Sequence, residues 1–161
     1  MRDLLLWLSR KLHYPLVPPQ VMQISLTYRC NLRCRMCSIF GLLPQEEERT
    51  TAQVFHAIDQ ARACNIQEVL LTGGEPLVRE DLGQICRYCA GQGLRSIITT
   101  NGAMIDGRMA QEISSWGVSH IHISLDGLEE TNDFFRGKGS FNKAAGGITL
   151  LDNTRKRGNF F

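Results

Sequence analysis

No apolar run in these 161 residues approaches the ~20 needed to cross a bilayer, so no membrane-spanning helix is expected. Excess charge of one sign is missing too. Eighteen Lys and Arg face 16 Asp and Glu, and a net charge of +2 leaves no electrostatic footprint for nucleic acid. The densest basic run, Arg155-Lys156-Arg157, is short and reads as a solvated helix end. A secretion signal is also not expected. Leu4-Leu5-Leu6-Trp7-Leu8 is apolar, but Asp3 precedes it, Arg10 and Lys11 follow, and there is no small-residue cleavage site. This stretch reads as a short amphipathic helix packing on the domain, with a membrane-surface helix as the alternative. Six cysteines without a secretion signal point to a reducing compartment, the cytoplasm, and to ligands rather than disulfides.

Proline is scarce, and three of the 5 lie at Pro15, Pro18 and Pro19, where they end the first helix and form an extended lead-in. We therefore divide the chain into a lead-in over 1–19 and one core domain over 20–161. A hydrophobic content of 43% is enough for one real core. The first expected strand is Val21 to Thr27. A long loop follows, through Gly41, Pro44 and the acidic run Glu46-Glu47-Glu48. Thr50 with Gln53 fits a capping box for a helix from Thr51 to Cys64, with an apolar stripe at Val54, Ile58 and Ala61. Glu68 to Thr72 reads as a strand buried on both faces. Helix 81–92, strand 95–100, helix 106–116, strand 118–125 and a helix from Phe141 to about Arg157 complete the pattern. Strands alternating with helices imply βαβ units and a parallel sheet. Periodicity alone leaves a doubly wound sheet open. Polar and glycine-rich motifs just after each strand favour part of a (β/α) barrel, which builds its site at the C-terminal strand ends. The expected fold is thus α/β, a partial barrel of four strand–helix units, truncated relative to a full barrel, with a short N-terminal helix.

The loop after the first strand carries Cys30, Cys34 and Cys37 in a CxxxCxxC spacing. Three thiolates together suit a soft metal or an iron–sulfur cluster. They are one ligand short of a closed structural site, and an open position is what reactive metal centres keep. A zinc site or buried thiols are the alternatives.

These cysteines, followed by Gly73-Gly74-Glu75-Pro76, Thr100-Asn101-Gly102 and Ser124-Leu125-Asp126-Gly127, each after a strand, resemble the radical S-adenosylmethionine (SAM) enzymes. The likeness runs from about Val21 to Leu151. It is greatest to the branch containing molybdenum-cofactor, haem-variant and peptide-modifying maturases. The resemblance implies a 4Fe-4S cluster held by Cys30, Cys34 and Cys37, with SAM on the open iron. Reductive cleavage would give a 5′-deoxyadenosyl radical that abstracts hydrogen from a substrate, in cofactor biosynthesis or peptide modification. It further implies an external electron donor of flavodoxin or ferredoxin type and an unidentified peptide or cofactor-precursor substrate.

By the same resemblance, Gly73, Gly74, Glu75 and Pro76 meet the SAM amino group, with Glu75 or nearby carbonyls accepting from it. Thr100 and Ser124 contact SAM, Asp126 caps a turn or orients the site, and Arg136 lies near the SAM carboxylate. Met36 stands where the family often has an aromatic residue near adenine, and methionine packs adaptably against a ring. The alternatives to the enzyme are a non-catalytic metal-binding module, which would supply a fourth protein ligand and lack SAM affinity, and an inactive truncated relative, which would bind the cluster yet fail to turn over. Outside the motifs, Leu82, Ile85, Cys86 and Cys89 share one helix face and read as core, as does Cys64. His120 and His122 read as packed histidines, with a substrate contact as the alternative.

Overall fold

The computed structural model describes residues 2–14, 16–17, 19–39 and 48–156. Pro15, Pro18, Gly41, Pro44, Glu46, Glu47 and Arg157 lie outside the described residues. In chain order the elements are α1 (Arg2–Leu12), β1 (Val21–Thr27), α2 (Thr51–Ala63), β2 (Glu68–Gly73), a 3-10 turn (Pro76–Val78), α3 (Leu82–Gly91), β3 (Arg95–Thr100), α4 (Gly107–Ser114), β4 (His120–Ile123), α5 (Glu129–Arg136) and α6 (Ser140–Lys156).

All four strands are parallel, in the order β1-β2-β3-β4. A doubly wound sheet reverses its strand order at a switch point. Among the described residues the order never reverses, and each strand adds to the same side of its predecessor, as in a barrel segment.

One face of the sheet carries the core. Ile24, Leu26, Val69, Leu71 and Ile98 are at most 8% exposed and pack with Val54 and Ile58 of α2, Leu82 and Ile85 of α3, and Ile113 of α4. The capping box forms as the sequence implies. Gln53 N donates to Thr50 Oγ1 at 3.3 Å and Thr50 N donates to Gln53 Oε1 at 2.9 Å. Asp106 caps α4, accepting from Met109 N at 2.7 Å. Such bonds satisfy amide donors that a helix start leaves free.

The opposite face is open except at Ile97, which is 8% exposed. In register across the sheet, Gln23 pairs with Leu70, Leu70 with Ile97 and Ile97 with His120. Gln23, Ser25, His120 and His122 are exposed, and Leu70 and Thr72 are half-buried. Strand β2 is therefore covered on one face, not two. The two histidines are not packed, because they point to the side that no described helix covers.

Four further expectations change. The helix α1 forms, but Leu4 is 60% and Trp7 55% exposed, so its apolar side is not packed on the domain. An amphipathic repeat shows that a stripe exists, not that a surface receives it. Cys64 is exposed at the C-terminal cap of α2, where its N–H donates to Gln60 O at 3.0 Å. Segment 129–136, which carries Arg136 and for which the sequence pattern gives no element, is a helix with only Asn132 buried. Its polarity leaves no apolar stripe to read, while Glu129 and Glu130 in its first turn suit the helix dipole. Strand β4 is shorter than 118–125, although Ser119 N and Ser124 N still donate to Ser96 O and Thr100 O of β3, each at 2.9 Å.

Candidate active site

The C-terminal strand ends converge as the parallel topology requires. Beyond β1 the chain turns into the cysteine loop, and beyond β2 it meets that loop backbone to backbone. Gly74 N donates to Thr27 O at 2.7 Å and Glu75 N to Arg29 O at 2.9 Å. A Cβ on Gly73, whose φ is +136°, would stand 2.3 Å from Thr27 O, and one on Gly74 would stand 2.3 Å from Arg29 O. Any side chain here would drive the two loops apart. The paired glycines thus seat the cysteine loop on β2, a role in addition to any approach by a ligand.

Glu75 is fully buried and is not among the described residues that line the cavity. It accepts from Thr100 Oγ1 and Asn101 N, both at 2.7 Å, and from Leu77 N at 3.1 Å. Burial pushes its pKa up, against the pull of these three bonds. Pro76 is buried at the start of the 3-10 turn and also stays off the cavity. The resemblance has Glu75 or nearby carbonyls meet a ligand; here the Glu75 side chain is absent from the described lining of the cavity. Its bonds to Thr100 and Asn101 tie the loop after β2 to the loop after β3.

The cavity between these loops measures about 250 Å³. Cys30, Cys34 and Cys37 line one side, with Met36 beside them. Gly73, Gly74, Thr100, Ser124 and Arg136 are also in the lining. Each thiol is half-buried, and burial raises the pKa of Cys30 and Cys34, with Arg136 pulling Cys34 the other way. The Cys30 sulfur accepts from Leu32 N at 3.4 Å. Thr100 donates to Glu75 and accepts from Gly102 N at 3.0 Å, so its hydroxyl hydrogen is not free for a ligand. Arg136 donates to Asp126 at 2.5 and 3.2 Å, and this pairing aims its guanidinium along the cavity wall. Asp126 holds the arginine without lining the cavity. Helix α5 supports the arrangement, because Arg35 N donates to Phe135 O at 2.8 Å and the Arg35 guanidinium sits 4.3 Å over the Phe134 ring.

Sequence reasoning missed Thr72, Thr99, Asn101 and Ile39 in the lining. Thr72 and Thr99 sit at strand ends on the face opposite the core residues Leu71 and Ile98, so strand alternation carried the signal. Asn101 Nδ2 donates to Asn31 Oδ1 at 2.7 Å and lies 3.8 Å from the Cys30 sulfur. It thereby joins the loop after β3 to the cysteine loop.

The Radical SAM superfamily model matches residues 24–157. The chain belongs to the radical SAM superfamily. It is 39% identical over 126 residues to an Fe-coproporphyrin III synthase of Methanosarcina barkeri, covering 77% of this chain and 32% of that protein. It is 35% identical over 137 residues to an AdoMet-dependent heme synthase of the same organism, covering 83% of this chain and 39% of that protein. Among solved structures, Streptococcus suis SuiB bound to its precursor peptide SuiA superposes with a TM-score of 0.67 at 21% identity, over 97% of this chain and 34% of that one. This likeness carries the fold. The chain thus spans about a third of the length of the relatives it matches.

Radical SAM proteins use a 4Fe-4S cluster and SAM. The donor set here fits such a cluster. Three soft thiols open on one cavity, none of the described lining residues is His, Asp or Glu, and polar groups face the thiols from the ends of β2, β3 and β4.

Proposed function

We propose that this chain is the cluster- and SAM-binding core of a radical SAM enzyme acting in cofactor biosynthesis, on a porphyrin-type substrate. The observation that carries the site is the single cavity shared by the three cysteines and the polar ends of the strands. The names of the haem-pathway relatives support the substrate class.

In this reading Cys30, Cys34 and Cys37 hold the cluster and leave one iron to SAM. When bound, cluster and SAM supply the one-electron chemistry that ends in hydrogen abstraction. The chain's own groups do the positioning. Arg136, held by Asp126, pairs with the SAM carboxylate through its planar fork. With the Glu75 side chain absent from the described lining, the acceptors left for the SAM ammonium are backbone carbonyls of Gly73 and Gly74. Ser124 offers a hydroxyl, and Met36, 47% exposed, offers a polarisable side chain to adenine. An external flavodoxin- or ferredoxin-type donor would supply the electron that this chemistry needs, in the reducing environment of the cytoplasm. No helix among the described residues is long and apolar enough to cross a membrane.

Anaerobic reconstitution with iron and sulfide, followed by dithionite and SAM, tests this reading. The expected result is a cluster spectrum that shifts on SAM addition, and 5′-deoxyadenosine as product. A loaded protein with zinc in place of iron, or a cluster indifferent to SAM, refutes it.

A further inference from the structure

The turn that follows the paired glycines delivers one more residue, Arg79, which none of the cavity contacts involves. We propose that Arg79, braced by Asp81, is the positioning residue that holds both ends of the cysteine-bearing segment against the sheet. As a statement about the cluster, this rests on the proposed role of the three cysteines.

Arg79 is buried, 8% exposed, and caps the 3-10 turn, its N–H donating to Pro76 O at 3.0 Å. Its guanidinium Nη1 donates to Leu26 O at 2.8 Å, where the chain leaves β1 for the cysteine loop. The same nitrogen donates to Arg49 O at 3.0 Å, where the chain returns from that loop and enters α2. Nε and Nη2 form a fork on Asp81, at 2.8 and 2.5 Å. Asp81 in turn accepts from Thr51 Oγ1 at 2.7 Å, fixing the first residue of α2. One planar group therefore bridges the exit and the re-entry of the segment that carries Cys30, Cys34 and Cys37.

A second latch crosses the same base. Glu48 accepts from Thr27 Oγ1, and Arg29 donates to it at 2.9 and 3.1 Å. The latch is half-open to solvent, with the Arg29 side chain 63% exposed, and exposed ion pairs contribute little. The Arg79–Asp81 pair, with side chains 6% and 20% exposed, is the enclosed one. A buried pair is weak evidence for stability as such, but its fixed geometry suits it to setting register. Lysine could not replace it, because a single ammonium cannot reach two carbonyls and a carboxylate in one plane.

The six cysteines provide their own readout. We would label the metal-free protein with iodoacetamide and follow each thiol by mass spectrometry. In Arg79→Met, labelling of Cys30, Cys34 and Cys37 should accelerate about tenfold through local opening, while buried Cys86 and Cys89 stay protected. Thr51→Val, which loosens only the re-entry end, should give a smaller change in the same three. Arg95→Met removes the remote Arg95–Glu68 pair at the strand starts and should change none of them. Equal acceleration at Cys86 and Cys89 would mean global unfolding and overturn the proposal, as would unchanged rates at all sites. The iron-loaded Arg79→Met protein should also lose its cluster to a chelator about tenfold faster than the parent. A parent that binds no iron would refute the cluster reading, while the thiol rates would still decide the role of Arg79.

Discussion

Two groups of cysteines make the instructive comparison. Cys86 and Cys89 form a CxxC, and Cys34 and Cys37 form another, yet the two pairs share nothing but spacing. The first pair lies on one face of α3, fully buried against the core, where burial pushes both thiols up to about 12. The second pair, with Cys30, lies on a loop at the C-terminal edge of the sheet, half-buried and facing a polar cavity. Spacing therefore does not make a metal site. A thiol on a helix face that packs inward is a small hydrophobe, and a thiol on a loop beyond a parallel strand is a candidate ligand.

The largest expected effect breaks the comparison outright. Replacing Cys30, Cys34 and Cys37 together by Ala should reduce bound iron to background after reconstitution, with the metal-free melting temperature nearly unchanged. Replacing Cys89 by Ser should do the reverse. A hydroxyl in that apolar site should cost about 1–3 kcal/mol of stability in urea titration, with iron per folded molecule retained.

Next in size is a pH effect on the metal-free protein. A thiol raised from its unfolded value of about 8.5 to about 12 in the folded state keeps its proton longer when folded. Its contribution to stability is fully present below pH ~8.5 and falls as pH rises towards the folded value. Stability should decline by at most about 1.4 kcal/mol per pH unit per thiol, and the Cys86→Ala/Cys89→Ala double variant should show a flatter alkaline limb. The smallest effect belongs to Cys64→Ser. This exposed helix-cap position should shift stability by less than about 0.5 kcal/mol and leave iron binding untouched.

Much of this was legible before any coordinates. The cysteine loop, the capping box at Thr50 and Gln53, the inward face of α3 and the alternation of strands with helices all rest on interactions between residues close in sequence. What stayed hidden depended on partners far along the chain. Helix α5 is the exception, hidden although its contacts are local: its Asp133 accepts from Gly139 N, but no apolar stripe announces the helix. The inward turn of Glu75 is decided by Thr100 and Asn101, and the exposure of His120 and His122 by which face the helices cover.

The sequence by itself determined the chemistry on offer: three thiols one short of closure, glycines where side chains cannot fit, and a parallel α/β frame whose strand ends must share an edge. Only the tertiary structure decided which groups remain free to use that chemistry. It turned the Glu75 carboxylate inward, set Arg136 on Asp126 and ran Arg79 across both ends of the cysteine segment. The reason is physical: a hydrogen-bonding group is committed by whichever partner folding brings within about 3 Å, and spacing along the chain does not specify that partner.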